Sequence, residues 1–222
     1  RQIASGIYAT LDKAKLPHSS NIDPALQKAL TDVDPDGSHA VPYMWGTTGL
    51  GINVAKVREV LGEDAKLDSW GLLFDPANSA KLAQCGISVL DDDQETFSAA
   101  LIWLQQDPNS KDSSQIDAVK QAYAAIRPHI RYFNSSKYID DLANGDLCLA
   151  MGYSGDVFQA RDRAEEAGNG VEIDYIIPEE GAVRWFDLMA IPKDAPHPKN
   201  AHAFIDFLLQ PDVIAGISDY VG

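Results

Sequence analysis

The sequence predicts an α/β protein with mixed or parallel sheets and helices on both faces, and three observations lead to that class. Segments that read as strands alternate with segments of helical period along the whole chain. Hydrophobic residues make up 45% of the 222, with 4 Trp, 8 Tyr and 7 Phe, which supplies a core and excludes disorder. No internal repeat and no low-complexity tract interrupts the alternation. At about 150 residues per domain, the length allows one large or two small domains.

The elements follow in order. The chain opens on what reads as the end of a helix, then a KLPHSSN loop, a helical turn in DPALQKAL and a second loop, DVDPDGSHA. From Val41 to Asn53, VPYMWGTTGLGIN is rich in β-branched, aromatic and Gly residues, which predicts a strand or extended crossing segment with close backbone approaches. In NVAKVREVLG, Val54, Val57 and Leu61 share a helical face and Gly62 supplies the C-cap. DSWGLLFDPANSAKLAQ, with Asp68 as N-cap and a break at Pro76, predicts two short helices before the strand GISVL. The helix of DDDQETFSAALIWLQ has Phe97, Ala100, Leu101 and Leu104 on one face and carboxylates in its first turn, where they complement the helix dipole. SSQIDAVKQAYAAIRP repeats the period with Ile116, Val119, Tyr123 and Ile126 until Pro128 stops it, and IRYFN is a strand. Next come a short helix in SKYIDDLANGD, a strand in LCLAMGYSGD running into a turn, and a helix in VFQARDRAEEAG ending on Gly168. EIDYIIP and AVRWFDLMAIP are strands around the EEG turn, and KNAHAFIDFLLQPDVIAGISD is two helices separated by a Pro break.

With 33 acidic against 18 basic side chains, the net charge is −15, which repels phosphate backbones and anionic headgroups. No nucleic-acid partner is expected, and a cationic or neutral one is favoured. No stretch approaches the roughly 20 apolar residues of a membrane helix. RQIASGIYAT lacks an initiator Met and the apolar core of a signal peptide, and Val213, Ile214 and Ile217 describe an apolar face with no closing element. The expectation is a soluble piece of a longer protein, not embedded in a membrane.

Most local motifs have bland explanations. Cys85 and Cys148 each flank a strand-like run, far outside zinc-ligand spacing and with no activating His nearby; they are either two buried thiols or one disulfide. Asp32, Asp34, Asp36 and Gly37 imitate the start of a calcium loop, but its twelfth position is Tyr43 and Pro35 interrupts it, so no metal is expected. GTTGLG lacks dinucleotide spacing and reads as a Gly-rich hinge or close-packed strand. The sequon at Asn134 carries little weight. GYSGD approximates a nucleophile elbow only loosely, and His18, His39, His129, His197 and His202 read as loop, strand-edge or polar-face residues, so no catalytic triad and no cofactor are expected.

One pattern survives, the repeated pairing of a carboxylate with an aromatic at a strand end or helix start. Tyr153 and Asp156 lie in GYSGD, Trp185 and Asp187 in RWFD, and Glu95 with Phe97 in DDDQETF. Ligands of α/β sheets bind outside the carboxyl ends of strands, where such turns sit. Aromatic faces attract ammonium groups and acids pair with them, so the pattern suits a hydrophobic cation.

VPYMWGTTGLGIN, LANGDLCLAMGYSGDVFQA, IPEEGAVRWFDLMAIP and LLQPDVIAGISDYV together resemble the bacterial periplasmic polyamine-binding proteins, nearly end to end. The resemblance implies a two-lobe periplasmic binding protein fold (type 2), incomplete at both ends, with residues 1–42 and 177–222 in one lobe and 43–176 in the other. It implies a monomeric, periplasmic, non-enzymatic receptor that delivers spermidine or putrescine to the permease of an ABC importer. Residue by residue, Tyr153 stands where the family carries a cleft aromatic, often Trp. Asp156 matches an acid pairing with an amine, Trp185 the ring stacked on the methylene chain, Asp187 the acid at a terminal amine and Glu95 an acid near the other end. Glu95 and Asp187 are then expected on opposite sides of a cleft. The family's N-terminal Trp/Ser/Asp cluster, a Ser preceding Arg1 and a Tyr beyond Gly222 have no counterpart here. The resemblance and the strand-flanked positions of the cysteines further imply a Cys85–Cys148 disulfide within one lobe. Trp at 185 favours spermidine, because the larger ring suits a longer chain with a central ammonium. The competing expectation, from another class, is a hydrolase or transferase using the same carboxylates; a third is a protein-interaction scaffold.

Overall fold

The computed structural model describes residues 2–221. They form two compact units: the residues up to Trp45 together with Trp185–Val221 make a discontinuous unit, and Gly46–Arg184 make a continuous one. In chain order the elements are α1 (Pro24–Ala29), β1 (Ala40–Asn53), α2 (Val54–Leu61), α3 (Gly71–Phe74), α4 (Pro76–Leu82), β2 (Ile87–Val89), α5 (Asp93–Trp103) and α6 (Ser113–Ile126). These are followed by β3 (Tyr132–Phe133), α7 (Tyr138–Ala143), β4 (Leu149–Tyr153), α8 (Ser154–Ala167), β5 (Ile173–Ile176), β6 (Val183–Ala190), α9 (Pro198–Leu208) and α10 (Pro211–Val221).

The sheet is mixed, as its alternating pattern predicts. Its order is β3-β2-β4-β1-β5, with β6 pairing to β1 off that path. Strand β2 runs parallel to β3 and β4, whereas β1 runs antiparallel to β4 and β5. Thr48 of β1 faces Tyr153 of β4, and Gly51 faces Tyr175 of β5. The core of the continuous unit gathers Leu50, Ile52, Trp70, Leu73, Leu101 and Met151, all buried. Local chemistry starts and stops its helices. Asn53, Asp75, Asp92 and Asp112 each accept a backbone N–H as N-caps of α2, α4, α5 and α6, and Gly168 ends α8 in the left-handed region at φ 60°.

The glycines of GTTGLG are packing devices. A Cβ on Gly49 would lie 2.4 Å from the carbonyl oxygen of Ile176, and one on Gly51 would lie 2.9 Å from Leu142 and Val157. Gly49→Ala is therefore expected to cost about 2–3 kcal/mol, because backbone on the neighbouring strand has nowhere to move. Urea denaturation of the two proteins checks this, and an unchanged midpoint would sink it.

Cys85 and Cys148 form a disulfide with a Cα–Cα distance of 5.5 Å, inside the continuous unit. The Cys148 N–H donates to the carbonyl of Gly86 at 3.1 Å, so the bridge sits at the feet of the parallel strands β2 and β4.

The discontinuous unit has its own small core of Leu11, Leu16, Val41, Ile191, Ile205 and Leu209. Here three expectations need correction. Residues 2–6 form turns rather than a helix end. KLPHSSN is no open loop, because 3-10 turns span Lys13–Lys15 and Pro17–Asn21 and are tied to α9. His18 donates its backbone N–H to Asp206 Oδ1 at 2.9 Å and its Nδ1 lies 2.8 Å from Oδ2. His202 is buried rather than on a polar face: Nε2 accepts from the Asp12 N–H at 2.9 Å and Nδ1 donates to the Pro198 carbonyl at 2.7 Å, so both ring nitrogens are satisfied without solvent. On α10, Val213, Ile214 and Ile217 are the half-buried positions and the remainder are exposed.

The acidic DVDPDGSHA loop folds around one member. Asp34 is buried and accepts the backbone N–H groups of Ser38, His39 and Ala40 at 3.3, 2.9 and 3.0 Å. Burial opposes its charge, yet these donors hold the carboxyl below its ordinary range. Asp36 and His39 are drawn close to it by the same turn.

In the continuous unit, Asp68 is not the cap of the first short helix. Its N-cap residue is Trp70, with no side-chain cap; the Ser69 hydroxyl accepts the Gly71 N–H at 3.0 Å, and the Asp68 carbonyl accepts from Glu179 N–H at 2.8 Å. Helix α8 begins at Ser154, three residues before the expected VFQ start.

Candidate ligand-binding site

Strands β2 and β4 are parallel, so their carboxyl ends point the same way, and each feeds a helix whose first turn carries acid. At Tyr153 the chain leaves β4 and enters α8, placing Asp156 in the first helical turn. After β2, Asp92 caps α5 by accepting the Glu95 N–H at 3.0 Å, which turns Glu95 back toward β1. Glu95 is only 8% exposed, and its Oε2 accepts the Thr48 hydroxyl at 2.6 Å. Burial pushes its carboxyl above the ordinary value; the Thr48 hydrogen bond works against this and the charge of Asp92 adds to it.

Tyr153, half-buried, stands opposite Thr48 on the sheet. Its phenol is pushed up to about 12, first by burial and then by the charges of Asp92, Glu95 and Asp156. Tyr175 on β5 completes the group. Its hydroxyl donates to the Thr47 carbonyl at 2.9 Å and lies 2.7 Å from Thr47 Oγ1, and burial, with the Glu95 charge, pushes it up to about 12. Asp156 accepts the Tyr138 hydroxyl at 2.7 Å.

The structure thus brings Glu95, Tyr153 and Asp156 together on one end of the continuous unit. Trp185 and Asp187 lie on β6 in the discontinuous unit, two residues apart and hence on the same strand face, Trp185 half-buried and Asp187 exposed. The sequence reading missed Thr48, Asp92, Tyr138 and Tyr175. The spacing of Asp92 to Glu95, a cap followed three residues later by Glu, was the one local signal for any of them; the others reach the site through strand pairing or helix packing.

The hydrogen bonds within the cluster come from neutral groups: Glu95 accepts the Thr48 hydroxyl, Asp156 the Tyr138 hydroxyl and Asp92 a backbone N–H. Carboxylates so placed, beside two phenol rings, attract a cation and give it both charge pairing and apolar contact. Nothing comparable supports acyl transfer: Ser154 Oγ accepts the Thr47 N–H at 3.4 Å, and the single His of the continuous unit, His129, closes the 3-10 turn Arg127–His129. A separate cavity of about 430 Å³ in the discontinuous unit is lined by Leu11, Leu16, Ile22, Leu30 and Val41 and contains none of the expected ligand residues. Among the described residues no helix is long and apolar enough to cross a membrane.

The family model described as bacterial extracellular solute-binding protein matches residues 1–222. The chain is 50% identical to the putrescine-binding periplasmic protein PotF of Escherichia coli over 222 residues, covering all of this chain and 60% of that protein. It is 48% identical over 221 residues to the putrescine-binding periplasmic protein SpuD of Pseudomonas aeruginosa, again 60% of the relative. Against the Escherichia coli spermidine/putrescine-binding periplasmic protein the identity is 31% over 217 residues, 98% of this chain and 57% of that one. Among solved structures, the Tp0655 (TpPotD) lipoprotein of Treponema pallidum superposes with a TM-score of 0.85 at 26% identity, over 99% of this chain and 65% of that chain. The substrate-binding protein PotD of Streptococcus pneumoniae gives 0.79 at 24% identity, over 100% of this chain and 62% of that chain, and shows the shared fold. The chain spans about 60% of the length of the curated relatives it matches.

Proposed function

The chain belongs to the bacterial extracellular solute-binding protein family, and from that premise we propose that it captures a linear polyamine and hands it to the permease of an ABC importer in the periplasm. The observation that carries the reading is the cluster of Glu95, Tyr153 and Asp156, in which two acids held by neutral hydroxyls act on one ring. The carboxylates pair with ammonium groups, the ring covers methylenes, and no bond is made or broken, which fits relatives named as binding proteins rather than enzymes. On this reading Trp185 supplies a stacking ring and Asp187 a further acid, the receptor acts as a monomer, and the lobes are residues 1–42 with 177–222, and 43–176.

Two ligand lengths are in play. The ring of Trp185 favours spermidine, whereas the relatives at 50% and 48% identity are named for putrescine. We favour putrescine on the strength of those names, and spermidine stands as the second reading on the strength of the ring. Calorimetry on the full chain and its Trp185→Phe variant with both amines separates them: tighter putrescine binding by the parent supports the first, and tighter spermidine binding that reverses in the variant supports the second. A melt series at rising amine concentration tests the shared claim, because a ligand of the folded state at a hundredfold excess over Kd adds about 2.7 kcal/mol. No shift with either amine would overturn the polyamine reading.

A further inference from the structure

We infer that Tyr138 is a positioning residue of the ligand site, its hydroxyl fixing both the carboxylate of Asp156 and the strand end that carries Tyr153. This role rests on the polyamine reading of Asp156. Tyr138 opens α7 and is fully buried. Its approach is set by the preceding turn, where the Asn134 side chain accepts the N–H groups of Ser136 and Lys137 at 2.9 and 2.7 Å. The ring then passes across β4 at Gly152, where a Cβ would lie 2.5 Å from Tyr138 Cε2. Only a residue without a side chain admits the ring at that point.

The hydroxyl that arrives there is used twice. It donates to Asp156 Oδ2 at 2.7 Å and accepts the Tyr153 N–H at 3.0 Å. Tyr153 is the N-cap residue of α8 and provides no side-chain cap of its own, so a phenol from another helix satisfies backbone at the junction of β4 and α8. Burial and the neighbouring Asp156 carboxylate push the Tyr138 phenol far above its ordinary value, so it stays a donor throughout the physiological range. Asp156 is half-buried and retains a second oxygen for an ammonium group. A carboxylate whose rotamer is already fixed loses less freedom when it pairs with a cation, and an acid left to rotate binds more weakly.

The test is a double-mutant cycle of Tyr138→Phe and Asp156→Asn in the full chain, read by calorimetry with putrescine, together with amide exchange at Tyr153 in the ligand-free proteins. Tyr138→Phe is expected to weaken putrescine binding about tenfold in the parent and not at all in the Asp156→Asn background, and to speed exchange of the Tyr153 amide. An equal loss in both backgrounds would mean that the hydroxyl does not act through the Asp156 carboxylate and would overturn the positioning role. Unchanged exchange at Tyr153 would overturn it too, whatever the ligand. A parent that binds neither putrescine nor spermidine would instead bring down the polyamine reading, and the role with it.

Discussion

A variant with Cys85 and Cys148 both replaced by alanine is expected to lose about 4 kcal/mol of stability. The two residues are 63 positions apart, and closing a loop of that length takes entropy from the unfolded ensemble and raises its free energy by about this much in the chain-entropy model. For a chain of this size, 1 kcal/mol moves Tm by about 2–4 °C, so the melt should fall by about 8–16 °C. The bridge fastens the entry of β2 to the entry of β4, the two strands whose far ends carry the acidic cluster, and the loss should therefore be global rather than confined to one loop. Thermal melts of the variant, and of the parent with and without reductant, measure it. Coincident curves would show that the bridge contributes nothing.

Glu95→Gln should move stability and affinity in opposite directions. Because burial raises the folded-state pKa of Glu95, folding favours its neutral form. That preference stabilises fully below the unfolded carboxylate value and is lost as pH rises through the raised folded value. Near pH 7 the ionised side chain therefore costs stability, and the neutral Gln variant is expected to melt a few degrees higher than the parent, with the difference closing in acid. For a cationic ligand the sign reverses. Removing one partner of a buried charge pair costs about 2–5 kcal/mol, or roughly 30-fold to several thousandfold in Kd, so the variant should bind putrescine far more weakly near neutral pH. Parent affinity should decline as pH falls through the raised value of Glu95, while the variant's should stay flat over that range. Equal affinities near pH 7 would remove Glu95 from the ligand set.

Much of the architecture could be read locally because local chemistry sets it. The carboxylates of α5 fall in its first turn, Gly62 and Gly168 end their helices, and the Pro break before α10 falls where the sequence puts it. The misses have a common cause. Asp68 is a competent cap in sequence, but the turn before α3 is held instead by Glu179 and Glu180 reaching back from more than a hundred residues away, where Glu180 accepts the Ser69 hydroxyl at 2.5 Å. His202 looked polar because its acceptor role is filled by Asp12, across most of the chain. In the acidic cluster, Glu95, Tyr153 and Asp156 were legible as acid-and-ring pairs at element starts. Thr48, Tyr138 and Tyr175 were not, since a Thr in a strand and a Tyr in a core look the same in sequence whether or not they serve a site. The insertion of β1 between β4 and β5 is likewise a non-local choice that no window of ten residues encodes.

The division of β1 and β6 between the two units has a consequence for how the chain is made. Residues 46–184 are uninterrupted, so once Arg184 has been synthesised every strand pairing among the continuous unit's own residues and both halves of its disulfide are in hand. The discontinuous unit is in the opposite position: Leu11, Leu16 and Val41 are made first and must wait for Ile191, Ile205 and Leu209 before their core can close. Contacts that span most of a chain form slowly, whereas those within an uninterrupted stretch can form while synthesis continues. The early segment therefore spends the translation of some 140 residues without its packing partners.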